Sequence, residues 1–334
     1  MNRTDYTTSS GRIRALEKRM LSSATIERLI GITSLEEVLR LLSAETEYDF
    51  SRLATPHDYE QVIQPSVRDL YKRGKELSQH DELVEIVFCK YDFHNLKVAF
   101  KAEHYPQRTE NPYATVTDIV PIELAKLAAG DPDVKSLPAH LRDAAVLLRE
   151  ALERSGVNPQ TIDIVLDKAM FAFMKESAET LGLPIVLSYV ELLIDCYNLR
   201  TLLRARGMSK GRTFLKDALA PGGQMDLSTF ERQYDADVTA LTTALSKTRL
   251  GKAVQGGMAA FAQSDNYSQM ERLLDNMLVE HLKSVKYMAY GPELVFAYLI
   301  NKENEIRQMR IILACKENHI RPEALRERLR DNYV

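Results

Sequence analysis

Three short stretches of this chain carry one pattern at one spacing. Asp92, Asn95, Leu96, Lys97 and Phe100 form the first copy; Asp195, Asn198, Leu199, Arg200 and Leu203 form the second. Glu305, Gln308, Met309, Arg310 and Leu313 form the third. Each reads acid, two residues, amide, apolar, base, two residues, apolar, and the copies lie roughly a third of the chain apart. Repetition at this scale constrains the fold more than any single motif, because every copy has to sit in an equivalent unit. What precedes the second copy also matches what precedes the third. "TIDIVLDKAMFAFMKESAETLGLP" aligns with "QMERLLDNMLVEHLKSVKYMAYGP", setting Leu166-Asp167 against Leu274-Asp275, Lys175 against Lys283 and Pro184 against Pro292. A two-residue gap after Pro292 is needed to reach Glu305. Each unit therefore reads as a long helix, a break, and a second long helix bearing the motif. The first unit, from about Ile63 to Phe100, is the most diverged ahead of its motif.

The local signals are helical throughout. Ile162, Val165, Leu166, Ala169, Met170 and Phe173 recur at three and four residues, the spacing of one helix face, and no comparable alternating strand pattern occurs. Ser34 with Glu37 and Ser228 with Glu231 fit the capping box, and Pro121 and Pro322 suit a first helical position. The breakers "TPHD", "NPY", "GDPD", "APGGQ" and "YGPE" supply short connections. The expected fold class is all-α.

Residues three and four apart share a helix face, so Asp92 lies beside Asn95 on a stripe continued by Leu96 and Phe100. A buried acid next to an amide can fix the register of one helix on its neighbour, since a slip that leaves it unpaired costs about 1 to 3 kcal/mol. Catalytic sites are seldom copied three times in one chain, which favours this structural reading. It predicts that Asp92, Asp195 and Glu305 are at least partly buried and hydrogen-bonded, each near Asn95, Asn198 or Gln308. Lys97, Arg200 and Arg310 fall about 140 degrees around the helix from their acids and should pair with other helices.

Composition narrows the function classes. At 334 residues, 45% hydrophobic and 27% charged, the chain reads as an ordered globular protein. Its net charge of −3 supplies no global field toward nucleic acid or anionic lipid. The N-terminal "MNRTDYTTSSGRIRALEKRM" has charges where an export signal needs an apolar core. The longest apolar stretch, "LGLPIVLSYVELLIDCYNLR", is broken by Gly182, Pro184, Glu191 and Asp195, so no direct membrane span is expected. Cys89, Cys196 and Cys315 form no CxxC pair, which fits a reducing compartment.

Candidate sites are few. His94 and His104 are ten residues apart rather than at the four-residue spacing of a helical zinc pair, and Cys89 and His94 fall on different helix faces. "RLGKAVQGG" lacks the earlier glycine and the following Ser or Thr of a phosphate loop and reads as a helix end. The segment "YNLRTLLRARGMSKGRTFLK", residues 197 to 216, holds six basic residues and no acid. A solvated helix end is the plainer reading; Arg204, Arg206, Lys210 and Arg212 are the candidate surface for an acidic partner. Nucleic acid would need a broader basic field and stacking aromatics. No catalytic, cofactor-binding or metal-ligating residue is expected, and no small-molecule substrate.

"YDFHNLKVAFKA", "GRIRALEKRML" and above all "GPELVFAYLINKENEIRQMRIILACKENHIRPEALRERLRDNYV" resemble the C subunit of the V-type or archaeal-type ATP synthase, the counterpart of the d subunit in eukaryotic vacuolar ATPases. The likeness runs from about Gly11 to Val334, and Gln308 stands where the family usually has Asn. The resemblance implies a funnel of three similar helical units around a pseudo-threefold axis, here residues 1–110, 111–215 and 216–334. It implies a peripheral subunit at the cytoplasmic face of the membrane, a rotor spacer between the proteolipid ring and the central shaft made of the D and F subunits. Such a subunit has no active site, since ATP is handled by the A and B subunits; it transmits torque for proton or sodium transport. A generic helical-repeat adaptor would share the periodicity but not the "GPELVFAYLINKENEIR" block. A helical hydrolase would need acids converging with His94 and His104.

Overall fold

The computed structural model describes residues 2–105, 113–131, 134–264 and 266–333. Every regular element among them is a helix. In chain order the α-helices are α1 (Thr7–Glu17), α2 (Ser23–Gly31), α3 (Leu35–Glu45), α4 (Glu60–Leu77), α5 (Asp81–His104), α6 (Pro121–Ala128), α7 (Ala139–Ser155) and α8 (Pro159–Leu181). There follow α9 (Pro184–Gly207), α10 (Arg212–Ala218), α11 (Leu227–Arg232), α12 (Val238–Ser246), α13 (Gly251–Ser264), α14 (Ser268–Leu282), α15 (Pro292–Glu317) and α16 (Pro322–Arg328). The motif copies lie on α5, α9 and α15, the three longest of these helices. The breakers "NPY" and "GDPD" fall partly outside the described residues.

Helix starts follow local chemistry. Ser34 accepts from the Glu37 N–H at the head of α3, and Pro121, Pro184, Pro292 and Pro322 occupy first-turn positions where a missing N–H costs nothing. The box at Ser228 does not form. α11 begins at Leu227, two residues earlier than that box requires, which puts Ser228 inside its first turn. The reason is long-range: the N–H groups of Gln224 and Met225 are held by Asp195, so the chain's direction is set before Ser228 is reached. "RLGKAVQGG" is indeed a helix end, the N-terminal end of α13.

By contacts the chain divides into two compact units, Met1–Asp81 with Ala236–Val334, and Glu82–Asp235. In the first, α15 packs against α1, α3, α4 and α16. Six consecutive residues from Leu294 to Leu299 are buried, which leaves its first turns no solvent face and marks it as the core helix of that unit. In the second, α8 packs on both α7 and α9. His140 of α7 lies between Phe93 of α5 and Phe173 of α8, with ring centroids 5.9 and 3.9 Å away. Burial pushes its imidazole down to about 4, so it packs as a neutral ring near neutral pH. On α8 the apolar face shifts along the helix: Ile162 and Leu166 are buried, then Phe171, Met174 and Ala178. No described helix is long and apolar enough to cross a membrane.

Candidate functional site

The three acids are 7, 0 and 4% exposed for Asp92, Asp195 and Glu305, so each has given up hydration and needs partners. The structure supplies them from returning chain segments. Asn95 holds Ala114 at both polar groups: its Nδ2 donates to the Ala114 carbonyl at 2.8 Å and its Oδ1 accepts the Ala114 N–H at 2.7 Å. Asp92, one turn earlier on α5, accepts from the Thr117 hydroxyl. Burial, reinforced by Glu85 and Asp118 and opposed by Thr117, pushes the Asp92 carboxyl up to about 7.

α9 repeats the device. Asn198 brackets Ala220 at 2.8 Å in both directions, and Asp195 accepts the N–H groups of Gln224 and Met225, each at 3.2 Å. The loop between is fitted to it. A Cβ on Gly223 would sit 2.1 Å from Asp195 Oδ1, and Gly222 has φ +104°, a conformation that disfavours any side chain. The "APGGQ" stretch is therefore more than a break between helices: its second glycine lets the backbone reach the buried carboxylate.

On α15 the same positions hold the opposite end of the chain. Glu305 Oε2 accepts the Leu21 N–H at 2.6 Å, although the two residues are 284 apart in sequence. Gln308, one methylene longer than asparagine, donates to Asn332 Oδ1 at 2.7 Å, and Asn332 donates to the Leu21 carbonyl at 3.0 Å. Both polar groups of one backbone residue are again satisfied, here through a relay. The Gln308 Oε1 atom is buried without a partner among the described residues. In all three places an acid and an amide hold an incoming chain segment, through the backbone of Ala114, Ala220 and Leu21 and, at Asp92, through the Thr117 hydroxyl.

Glu305 also belongs to a buried ionic cluster that the sequence pattern did not reveal. Lys302, 1% exposed, places Nζ 2.5 Å from Glu305 Oε1 and 3.1 Å from Glu47, above the Tyr48 ring. Arg73 Nη1 lies 2.8 and 2.9 Å from the two Glu47 oxygens and donates to the Tyr298 hydroxyl at 2.9 Å. Burial would raise the Glu47 carboxyl, but Arg73 and Lys302 together hold it below the usual range; burial wins at Glu305, which is raised. The sequence held one hint, Lys302 and Glu305 three apart just after the apolar run from Leu294 to Ile300. A second buried cation, Lys316, donates to the Ile30 and Ile32 carbonyls at the C-terminus of α2.

The motif bases turn elsewhere. Lys97 meets Asp167 of α8 at 2.5 Å, and Arg310 meets Glu60 of α4 through two contacts at 2.9 and 3.1 Å. Arg200 is half-buried on α9. Of the basic segment, Arg204 and Arg212 are exposed, and Arg212 pairs with Asp235. Arg206 donates to the Gln233 carbonyl at 3.1 Å, and Lys210 lies over the Phe214 ring. His94 and His104 are exposed on α5, while Cys89, Cys196 and Cys315 are buried. Burial raises the Cys89 thiol, so it stays protonated. Among the described residues no group of three or more His, Cys, Asp or Glu could hold a metal ion.

Such an arrangement can hold chain segments firmly in place. Backbone clasps repeated on three long helices, joined to buried ion pairs, define an all-helical scaffold whose polar groups fix chain segments to one another. The chain belongs to the ATP synthase (C/AC39) subunit family, which it matches over residues 9–328. It is 25% identical over 321 residues to the V-type sodium ATPase C subunit of Enterococcus hirae, covering 96% of this chain and 97% of that protein. Similarity extends to the A-type ATP synthase C subunits of Methanocaldococcus jannaschii, at 23% identity over 97% of this chain and 86% of that one, and of Pyrococcus abyssi, at 24% over 97% and 90%.

Proposed function

We propose that this chain is a non-catalytic central-stalk subunit of a rotary V/A-type ATPase or ATP synthase. It links the membrane proteolipid ring to the shaft formed by the D and F subunits and transmits torque for ATP-coupled proton or sodium transport. It works as a peripheral subunit at the cytoplasmic face of the membrane, with no cofactor, nucleic acid or small-molecule substrate. Its three motif-bearing units, residues 1–110, 111–215 and 216–334, stand around a pseudo-threefold axis in a funnel. The observation that carries the proposal is the family match across residues 9–328, together with relatives named as C subunits of V-type and A-type enzymes over nearly the full chain. The clasps add a physical reason. A torque-bearing part must not yield at its loops, and buried, paired polar contacts resist slippage because each broken one strands a desolvated group.

The test is removal. Membranes lacking this chain should retain ATP hydrolysis in a detached head but lose ion pumping, and gentle solubilisation of intact membranes should bring the chain down with the ring and with the D and F subunits. Full pumping in its absence would sink the assignment.

A further inference from the structure

A cavity of about 320 Å³ lies wholly within the first compact unit, beside the buried ionic cluster. Its floor is Lys302, Arg73 and Glu47, and one wall is a face of α4 that carries Gln61, Ser66 and Asp69. The floor cations are already engaged. The Lys302 ammonium is shared by Glu305 and Glu47, and Arg73 Nη1 serves Glu47 and Tyr298. What remains toward the opening is acceptor-rich. Pro65 lies inside α4 and has no N–H, which leaves the Gln61 carbonyl without its i+4 helical donor. The Ser66 hydroxyl spends its proton on the Val62 carbonyl at 2.6 Å, so its oxygen can only accept further bonds. Asp69 is exposed at the mouth with no hydrogen-bond or ion-pair partner among the described residues. Asp49 stands there too, 3.5 Å from the largely exposed Arg52.

We infer that this cavity is a binding site for a guanidinium or alkylammonium group. An anion would meet Asp49 and Asp69 at the entrance and find the floor cations already neutralised. A bare metal ion would need a tight carboxylate cluster, and none exists among the described residues. A flat, multi-donor cation matches acceptors spread over a wall, as the Gln61 carbonyl, the Ser66 oxygen and the Asp69 carboxylate are. Such a group can come from a free diamine or polyamine, or from an arginine side chain of a neighbouring protein.

Calorimetric titration of the full chain with agmatine tests this. Binding at one site is expected, weakened about tenfold, or about 1.4 kcal/mol, by Asp69→Asn. Ser66→Ala should weaken it severalfold, while Asp217→Asn in the second unit leaves it unchanged; Asp69 and Asp217 are exposed, so both variants should fold, as thermal melting would verify. Repeating the titration on the intact membrane complex assigns the source: persistence of the site indicates a free cation, and its loss indicates a partner's arginine already seated there. The inference is overturned if millimolar agmatine gives no binding, if Asp69→Asn binds it as the parent does, or if inorganic phosphate binds in the cavity and agmatine does not.

Discussion

Replacing Asp92 by asparagine should make the chain more stable near pH 8 and leave it almost unchanged near pH 4. Asn keeps the oxygen that accepts the Thr117 hydroxyl but cannot ionise. The Asp92 carboxyl rises from an ordinary 3.8 to about 7, chiefly through burial, with Glu85 and Asp118 adding repulsion. Between those two values the folded chain holds the proton that the unfolded chain has released. The native state binds more protons there, so unfolding free energy falls as pH rises and levels off above about 7. At about 1.4 kcal/mol per unit, the gap amounts to roughly 4 kcal/mol as a ceiling. Water relaxing around the ionised carboxylate should bring the measured difference nearer to 2 kcal/mol. Urea unfolding of parent and variant, run from about pH 4 to pH 8, isolates this group, because every other titration is common to both proteins. The two curves should converge at the acid end and separate in favour of the variant from about pH 5 upward. A variant equal to or weaker than the parent near pH 8, or one with the parent's full pH dependence, would refute the reasoning.

Gly223→Ala should destabilise the second unit by about 2 to 4 kcal/mol, since the new Cβ would displace a fully buried carboxylate from its two N–H donors; protection of the Gln224 and Met225 amides against hydrogen exchange reports it, and undiminished protection would count against the clasp. Lys302→Met should cost about 3 to 5 kcal/mol, because Glu305 and Glu47 would be left buried with one cation fewer; a loss in denaturant stability under about 1 kcal/mol would show that the cluster is solvated. Charge reversal at Arg204 and Lys210 should weaken assembly with a salt-dependent slope while lowering the isolated chain's melting temperature only slightly, since Lys210 also leaves the Phe214 ring; Arg206 is spared because it donates to the Gln233 carbonyl. Unaltered assembly at low salt would return these residues to plain solvation.

Helix positions were legible in the chain before any folding was considered. Period, proline at first turns and the Ser34 cap are local properties, set by atoms within one or two turns, and the cap and the prolines at 121 and 322 are met in α3, α6 and α16. The singular polar residues were legible too, since an acid and an amide three apart on an apolar face stand out wherever they occur, and the same residues carried the resemblance that the family match made firm. What each acid holds was decided only in three dimensions. Asp92 and Glu305 share a motif position, yet one takes a hydroxyl 25 residues ahead and the other a backbone N–H 284 residues behind. The burial of Lys302 was equally hidden, because its neutralising carboxylates come from α15 itself and from Glu47, just beyond α3. Ser228 shows the converse, a sound local cap overruled by Asp195 gripping the chain just ahead of it. A desolvated polar group is tolerated only where the folded chain delivers its partner, and chain return over tens or hundreds of residues leaves no periodic trace in the sequence.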